Sequence, residues 1–119
     1  CKANGNFTGC LQVQGNASDV AKQGFLFNST AFSKDIKSIT IVVKGLSSYD
    51  TPTTFDVYHG SSAHPTTDAI KGSYTTETGS TLNTFTFTYD FSSVSSKYFT
   101  IWNNAVGALY IEKIIITLK

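Results

Sequence analysis

The stretch Leu82 to Tyr89, LNTFTFTY, alternates strictly, with Phe85, Phe87 and Tyr89 on one side and Thr84, Thr86 and Thr88 on the other. Successive side chains of a β-strand point to opposite faces, so this pattern describes a strand with one buried aromatic face and one wet hydroxyl face. Three large rings in a row need an opposing apolar layer to remove them from water. An amphipathic helix does not supply it, because no segment repeats apolar residues at i, i+3, i+4 and i+7 for long enough. The covering layer is therefore expected to be another sheet.

The rest of the chain supplies strands for it. Ile36 to Lys44, IKSITIVVK, sets Ile39, Ile41 and Val43 against Thr40, Val42 and Lys44, and Phe55, Val57 and His59 alternate with Thr54, Asp56 and Tyr58. From Tyr98 to Lys119, KYFTIWNN and ALYIEKIIITLK read as two strands of a hairpin joined by an Ala-Val-Gly turn. Gly24–Phe27 and Ile70–Thr75 are shorter candidates, and Leu11–Val13 forms a brief edge strand. Turn-forming residues separate these runs, with Pro52 marking one loop. The expected fold is all-β, an antiparallel β-sandwich of about eight strands with jelly-roll or Greek-key connections. Ile36, Ile39 and Ile41 have the same spacing as Ile111, Ile114 and Ile116, and each three-residue step breaks the alternation as a bulge or strand entry does. A chain of 119 residues suffices for one core. Residues 1–23 read as a polar arm or cap, and residues 24–119 as the sandwich.

Composition narrows the partners. The net charge of +1 is built without arginine, so the planar fork that reads phosphates and guanine edges is missing, and nucleic acid is not an expected partner. No window holds the eighteen apolar residues that a helical membrane span needs. Charged residues are only 14 %, and the Ser- and Thr-rich surface is suited to hydrogen bonding with water and sugars. A Cys1–Cys10 disulfide would close a small loop and add about 2–3 kcal/mol. It points to an oxidising, extracellular or cell-surface setting; lipid attachment at Cys1 is the competing reading. A chain that opens on Cys is expected to be a processed product or an excised domain. Asn6, Asn16 and Asn28 each head an Asn-X-Ser/Thr acceptor for N-glycosylation.

Catalysis finds little support. There is no Gly-x-Ser-x-Gly, and Asp50, Asp56, Asp68, Asp90, Glu77 and Glu112 are scattered singly. His59, His64 and Asp68 fall close in sequence, but zinc sites bring a clearer ligand set. A structural calcium ion would suit a jelly roll, although no Asp-x-Asp spacing marks one. No cofactor is expected otherwise. Sugar recognition asks for an aromatic surface flanked by amides and hydroxyls. Trp102, Asn103 and Asn104 at one strand end, Tyr58 and His59 at another, and Tyr49 and His64 in loops are the candidates. The competing reading packs Trp102 in the core or rim and leaves Asn103 and Asn104 as turn formers.

The runs FLFNSTAF, IKSITI, TFDVYHG and KYFTIWNNAVGALYIEKIIIT, over roughly residues 24–118, resemble β-sandwich accessory domains of secreted bacterial proteins. Those proteins include extracellular nucleases and carbohydrate-active enzymes. The resemblance rests on strand order and on the closing Tyr-Ile-x-x-Ile-x-Ile. It implies a jelly-roll or galactose-binding-like fold and a non-catalytic role, and it carries over no site residue. Phage surface proteins and bacterial filament subunits use similar sandwiches. The function expected is a non-catalytic binding or adhesion module for carbohydrate or another cell-surface ligand. The alternative is a self-assembling surface component, a filament subunit or virion decoration protein, joined through the N-terminal arm and by edge pairing of Leu82–Tyr89 or Tyr110–Leu118.

Overall fold

The strictest alternation in the sequence is a strand, Leu82–Asp90, and its aromatic face is buried as its pattern requires. The computed structural model describes residues 7–48 and 51–119. Among these the strands are β1 (Leu11–Val13), β2 (Gly24–Phe27), β3 (Ile36–Leu46), β4 (Asp56–Gly60), β5 (Asp68–Ile70), β6 (Gly72–Glu77), β7 (Leu82–Asp90), β8 (Tyr98–Asn103) and β9 (Leu109–Leu118). A 3-10 turn, Val20–Lys22, is N-capped by the Asp19 carboxylate, which accepts from the Ala21 amide. No helix among the described residues is long and apolar enough to cross a membrane.

The strands pair like one long hairpin folded onto itself: β1 with β9, β2 with β8, β3 with β7 and β4 with β5, all antiparallel. Folding places the pairs in two layers, a five-stranded sheet ordered β1-β9-β3-β7-β6 and a four-stranded sheet ordered β2-β8-β4-β5. Without β6, which adds to the outer edge of β7, this is the eight-strand jelly-roll arrangement. The core lies between the layers. Ile39, Ile41 and Val43 of β3, Phe85, Phe87 and Tyr89 of β7, and Leu109 and Ile111 of β9 meet Val57, Phe99 and Ile101 of the smaller sheet. The Tyr89 hydroxyl donates to the Phe55 carbonyl at 3.4 Å, so the phenol oxygen on the β7 aromatic face has a partner.

Burial, and secondarily the charge of Asp56, pushes the Tyr89 phenol well above its ordinary value. Its folded pKa exceeds its unfolded one, so above pH about 10 the unfolded chain holds fewer protons than the native one. Stability is therefore expected to lose nothing to this group below that pH and to decline above it. Urea midpoints at pH 8, 9, 10 and 11 check this, and Tyr89→Phe should flatten the alkaline limb.

Three expectations are corrected. Tyr98–Lys119 is not a hairpin: β8 pairs with β2 and β4, β9 pairs with β1 and β3, and residues 104–108 carry the chain from one sheet to the other. Both strands have an apolar inward face, and the two faces meet across the core. The run Ile70–Thr75 is likewise divided, since Ile70 ends β5 in one sheet and Gly72 opens β6 in the other. A Cβ at Gly72 would lie 2.4 Å from the Tyr89 ring, so this corner requires glycine. Leu82–Tyr89 lies between β3 and β6 and has no edge to offer. β9 does, because β1 covers only Leu109, Tyr110 and Ile111.

The echoed isoleucine spacing belongs to neighbouring strands. Ile39 lies opposite Ile116 and Ile41 opposite Ile114, while Val43 pairs with Ile111 and Val42 with Lys113, leaving Glu112 as an extra residue in a bulge. The bulge brings the Glu112 carboxylate within 3.3 Å of the Lys44 ammonium. Where the arm is described, it lies on its own domain, with the Phe7 ring stacked on Tyr110 at 3.8 Å.

Candidate functional site

Residues directly opposite in an antiparallel pair share a face of the sheet. Leu26, Ile101 and Val57 point into the core, so their neighbours in sequence point out. Two rows result on the outer face of the four-stranded sheet: Phe25, Trp102 and Asp56, then Phe27, Thr100 and Tyr58. The outer face of the five-stranded sheet carries Thr40, Thr84, Thr86 and Thr88, as a wet face should. The smaller sheet instead presents aromatic rings outward.

These rings form one connected group. Phe25 stacks on Trp102 at 5.1 Å, and Trp102 meets Tyr58 at 5.5 Å with the planes tilted by 43°. Polar side chains fix the edges: the Trp102 indole N–H donates to Gln23 Oε1 at 2.8 Å. Asp56 Oδ2 accepts from the Tyr58 hydroxyl at 3.1 Å and from the Asn104 amide at 2.9 Å. Oδ1 of Asp56 has no protein donor among the described residues. Desolvation, followed by the charge of Asp56 and the hydrogen bond to it, raises the Tyr58 phenol above its ordinary value. Tyr58 is therefore a neutral hydrogen-bonding group at physiological pH.

Of the candidates read from the sequence, Trp102, Tyr58, Asn104 and His64 come together on this face. His64 reaches it from the β4–β5 loop, packing on Phe25 and Phe27. Asn103 and His59 do not join them. Asn103 has 0 % exposure, and its amide group donates to the Val13 and Gly107 carbonyls at 3.0 and 2.9 Å, which leaves nothing for a ligand. His59 shares the inward face of β4 with Val57, and its ring meets the edge of Phe91 at 6.3 Å. Tyr49, Cys1 and Asn6 lie outside the described residues, and with Cys1 so does the expected disulfide; Cys10 is buried. Asn16 caps a turn by accepting from the Ser18 and Asp19 amides, and Asn28 ties the β2–β3 loop to β8 through Lys97 and Phe99. Among the described residues no three His, Cys, Asp or Glu side chains converge on a possible metal position.

A separate cleft of about 580 Å³ is lined by Pro52, Thr53, Thr54, Val106, Phe7 and Tyr110 among others, and by none of the residues of the two aromatic rows. Phe25, Phe27, Gln23 and Thr100 were not singled out from the sequence. The signal existed in Phe25-Leu26-Phe27, where alternation sends the phenylalanines and the leucine to opposite faces. An aromatic outer face is unusual enough that the run reads simply as apolar. No family model matches this chain, and neither a curated protein nor a solved structure matches it.

Proposed function

We propose that this chain is a non-catalytic extracellular module that binds carbohydrate on the outer face of its four-stranded sheet. The observation that carries the reading is the Tyr58–Trp102 pair running directly into the Asp56–Asn104 carboxylate–amide pair. A sugar ring has an apolar C–H side and a rim of hydroxyls, and it is held by aromatic surface together with planar acceptors and donors. Asp56 Oδ1 is an acceptor for a sugar hydroxyl, and the hydrogen bonds from Tyr58 and Asn104 hold it in place. Glycoside hydrolysis requires two carboxyl groups across the scissile bond. Asp56 is the one acidic side chain in the two described rows of this face, which supports binding without cleavage.

The test is retention on a panel of immobilised glycans, followed by calorimetry on those retained. Trp102→Ala is expected to weaken binding by at least thirtyfold, about 2 kcal/mol, as for a central aromatic anchor. Asp56→Asn should weaken it by about tenfold while the fold, followed by its far-ultraviolet spectrum, stays intact. Retention of Trp102→Ala equal to the unmodified chain would remove this face from consideration. A second reading, self-assembly of a surface structure, is favoured by the outer edge of β9 from Glu112 to Leu118, which has no strand beside it among the described residues. Polymers that grow with concentration, without glycan retention, would support it over the first.

A further inference from the structure

β4 and β5 are direct neighbours, with His59 opposite Asp68, yet residues 61–67 separate them where a tight turn would do. The extra chain folds back over the sheet as a strap. Pro65 Cβ lies 2.8 Å from the position a Cβ on Gly60 would take, so the strap rests on bare backbone there. From this anchor His64 crosses β8 to reach β2. Its ring stacks on Phe27 at 4.2 Å with planes 4° apart and meets Phe25 edge-on at 4.7 Å. Thr100 lies on the strand that is crossed, directly between Phe27 and Tyr58, and has 0 % exposure although it points outward.

The docked strap is imperfectly satisfied. His64 Nε2 and Thr100 Oγ1 are both buried with no hydrogen-bond partner, which is unfavourable for each. His64 also sits at φ 56°, in the left-handed region that side chains other than glycine seldom occupy. Lifting the strap would open both polar atoms to hydrogen-bonding partners and free His64 from the left-handed backbone angle. What it uncovers is a slot with an aromatic face at Phe27, an aromatic edge at Phe25 and a hydroxyl at Thr100.

We infer that His64 fills a sugar-ring subsite, and that a glycan binds by displacing His64 and stacking on Phe27 in its place with one hydroxyl bonded to Thr100 Oγ1. The imidazole matches the two aromatic surfaces of the slot and leaves its hydroxyl unbonded. A pyranose ring matches all three, because its C–H side packs on the ring and its hydroxyls both donate and accept. The inference rests on the carbohydrate reading of this face and adds to it a subsite, a ring-shaped ligand and a resident competitor.

The experiment titrates the unmodified chain, His64→Gly and His64→Phe with cellohexaose, xylohexaose, mannohexaose and chitohexaose, following the Thr100 amide and the Trp102 indole by NMR. His64→Gly removes the competing ring and the backbone strain and is expected to bind at least tenfold more tightly. His64→Phe keeps the slot filled without a buried unbonded nitrogen and should bind at least threefold more weakly. Adding Thr100→Val to His64→Gly should abolish most of the gain, since a valine preserves the packing and cannot bond the sugar. If His64→Gly binds no more tightly than the unmodified chain while Trp102→Ala still weakens binding at least thirtyfold, the subsite is refuted and the carbohydrate reading stands. If none of these proteins binds any of the four glycans, both fall.

Discussion

Asn103→Ala is expected to cost about 3–4 kcal/mol of folding stability and to loosen β1 from the sandwich. The side chain closes β8 by joining three separate pieces of backbone. Its amide donates to Val13 of β1 and to Gly107 of the crossover, and its carbonyl oxygen accepts from the Ala105 amide at 3.3 Å. Truncation strands these groups where water does not readily replace the lost partner, and each stranded buried group costs about 1–3 kcal/mol. The Val13 bond is fully buried and counts in full, while the other two are partly buried and count for less. Against a native stability of roughly 5–15 kcal/mol the loss is a large fraction. Urea denaturation measures it, and amide exchange at Val13 locates it. Asn103→Asp should be no better, because it retains the acceptor, loses both donors and buries a charge. A cost below 1 kcal/mol would mean that the crossover is held by something other than this side chain.

Asn103 also marks the boundary of what the sequence makes legible. Alternation identified β3, β4 and β7 with the correct faces inward, because in these strands one face is apolar and the other hydroxylated or charged, and burial follows that difference directly. The three-residue step at Ile111–Ile114 was readable as a bulge for the same reason. Alternation cannot report which strand lies beside which. β8 and β9 are consecutive and both apolar, and that pattern serves equally well for two strands paired side by side or facing across a core. Asn103, whose hydrogen bonds tie β8 to β1 and to the crossover, has in sequence the character of any turn residue. The functional face divides in the same way. Trp102 and Tyr58 were visible as aromatics near strand ends, but their contact depends on β8 and β4 being paired, and the Phe25 stack on β2 being alongside. Asp56 and Asn104 lie 48 positions apart, and their bond is a property of the fold.

The same truncation on two adjacent strands of the larger sheet, β3 and β9, is expected to have very different costs. Ile41 of β3 has 0 % exposure and packs between Phe87 and Ile114 on the core side. Ile115 of β9 lies opposite Thr40 on the outer side and is 46 % exposed. Ile41→Ala removes the contacts of the deleted carbons and leaves a cavity that a close-packed sandwich fills poorly, a loss of about 3–4 kcal/mol. Ile115→Ala deletes the same atoms from a surface where water takes their place, and it is expected to cost less than about 1 kcal/mol. Both are read from urea midpoints at unchanged m-value, so that the difference is one of stability and not of the unfolded state. A register slip of one residue in β9 would exchange its two faces, making Ile115 the buried residue. Equal costs for the two substitutions would therefore argue against the β3–β9 register itself, on which the placement of the bulge and of the Glu112–Lys44 ion pair depends.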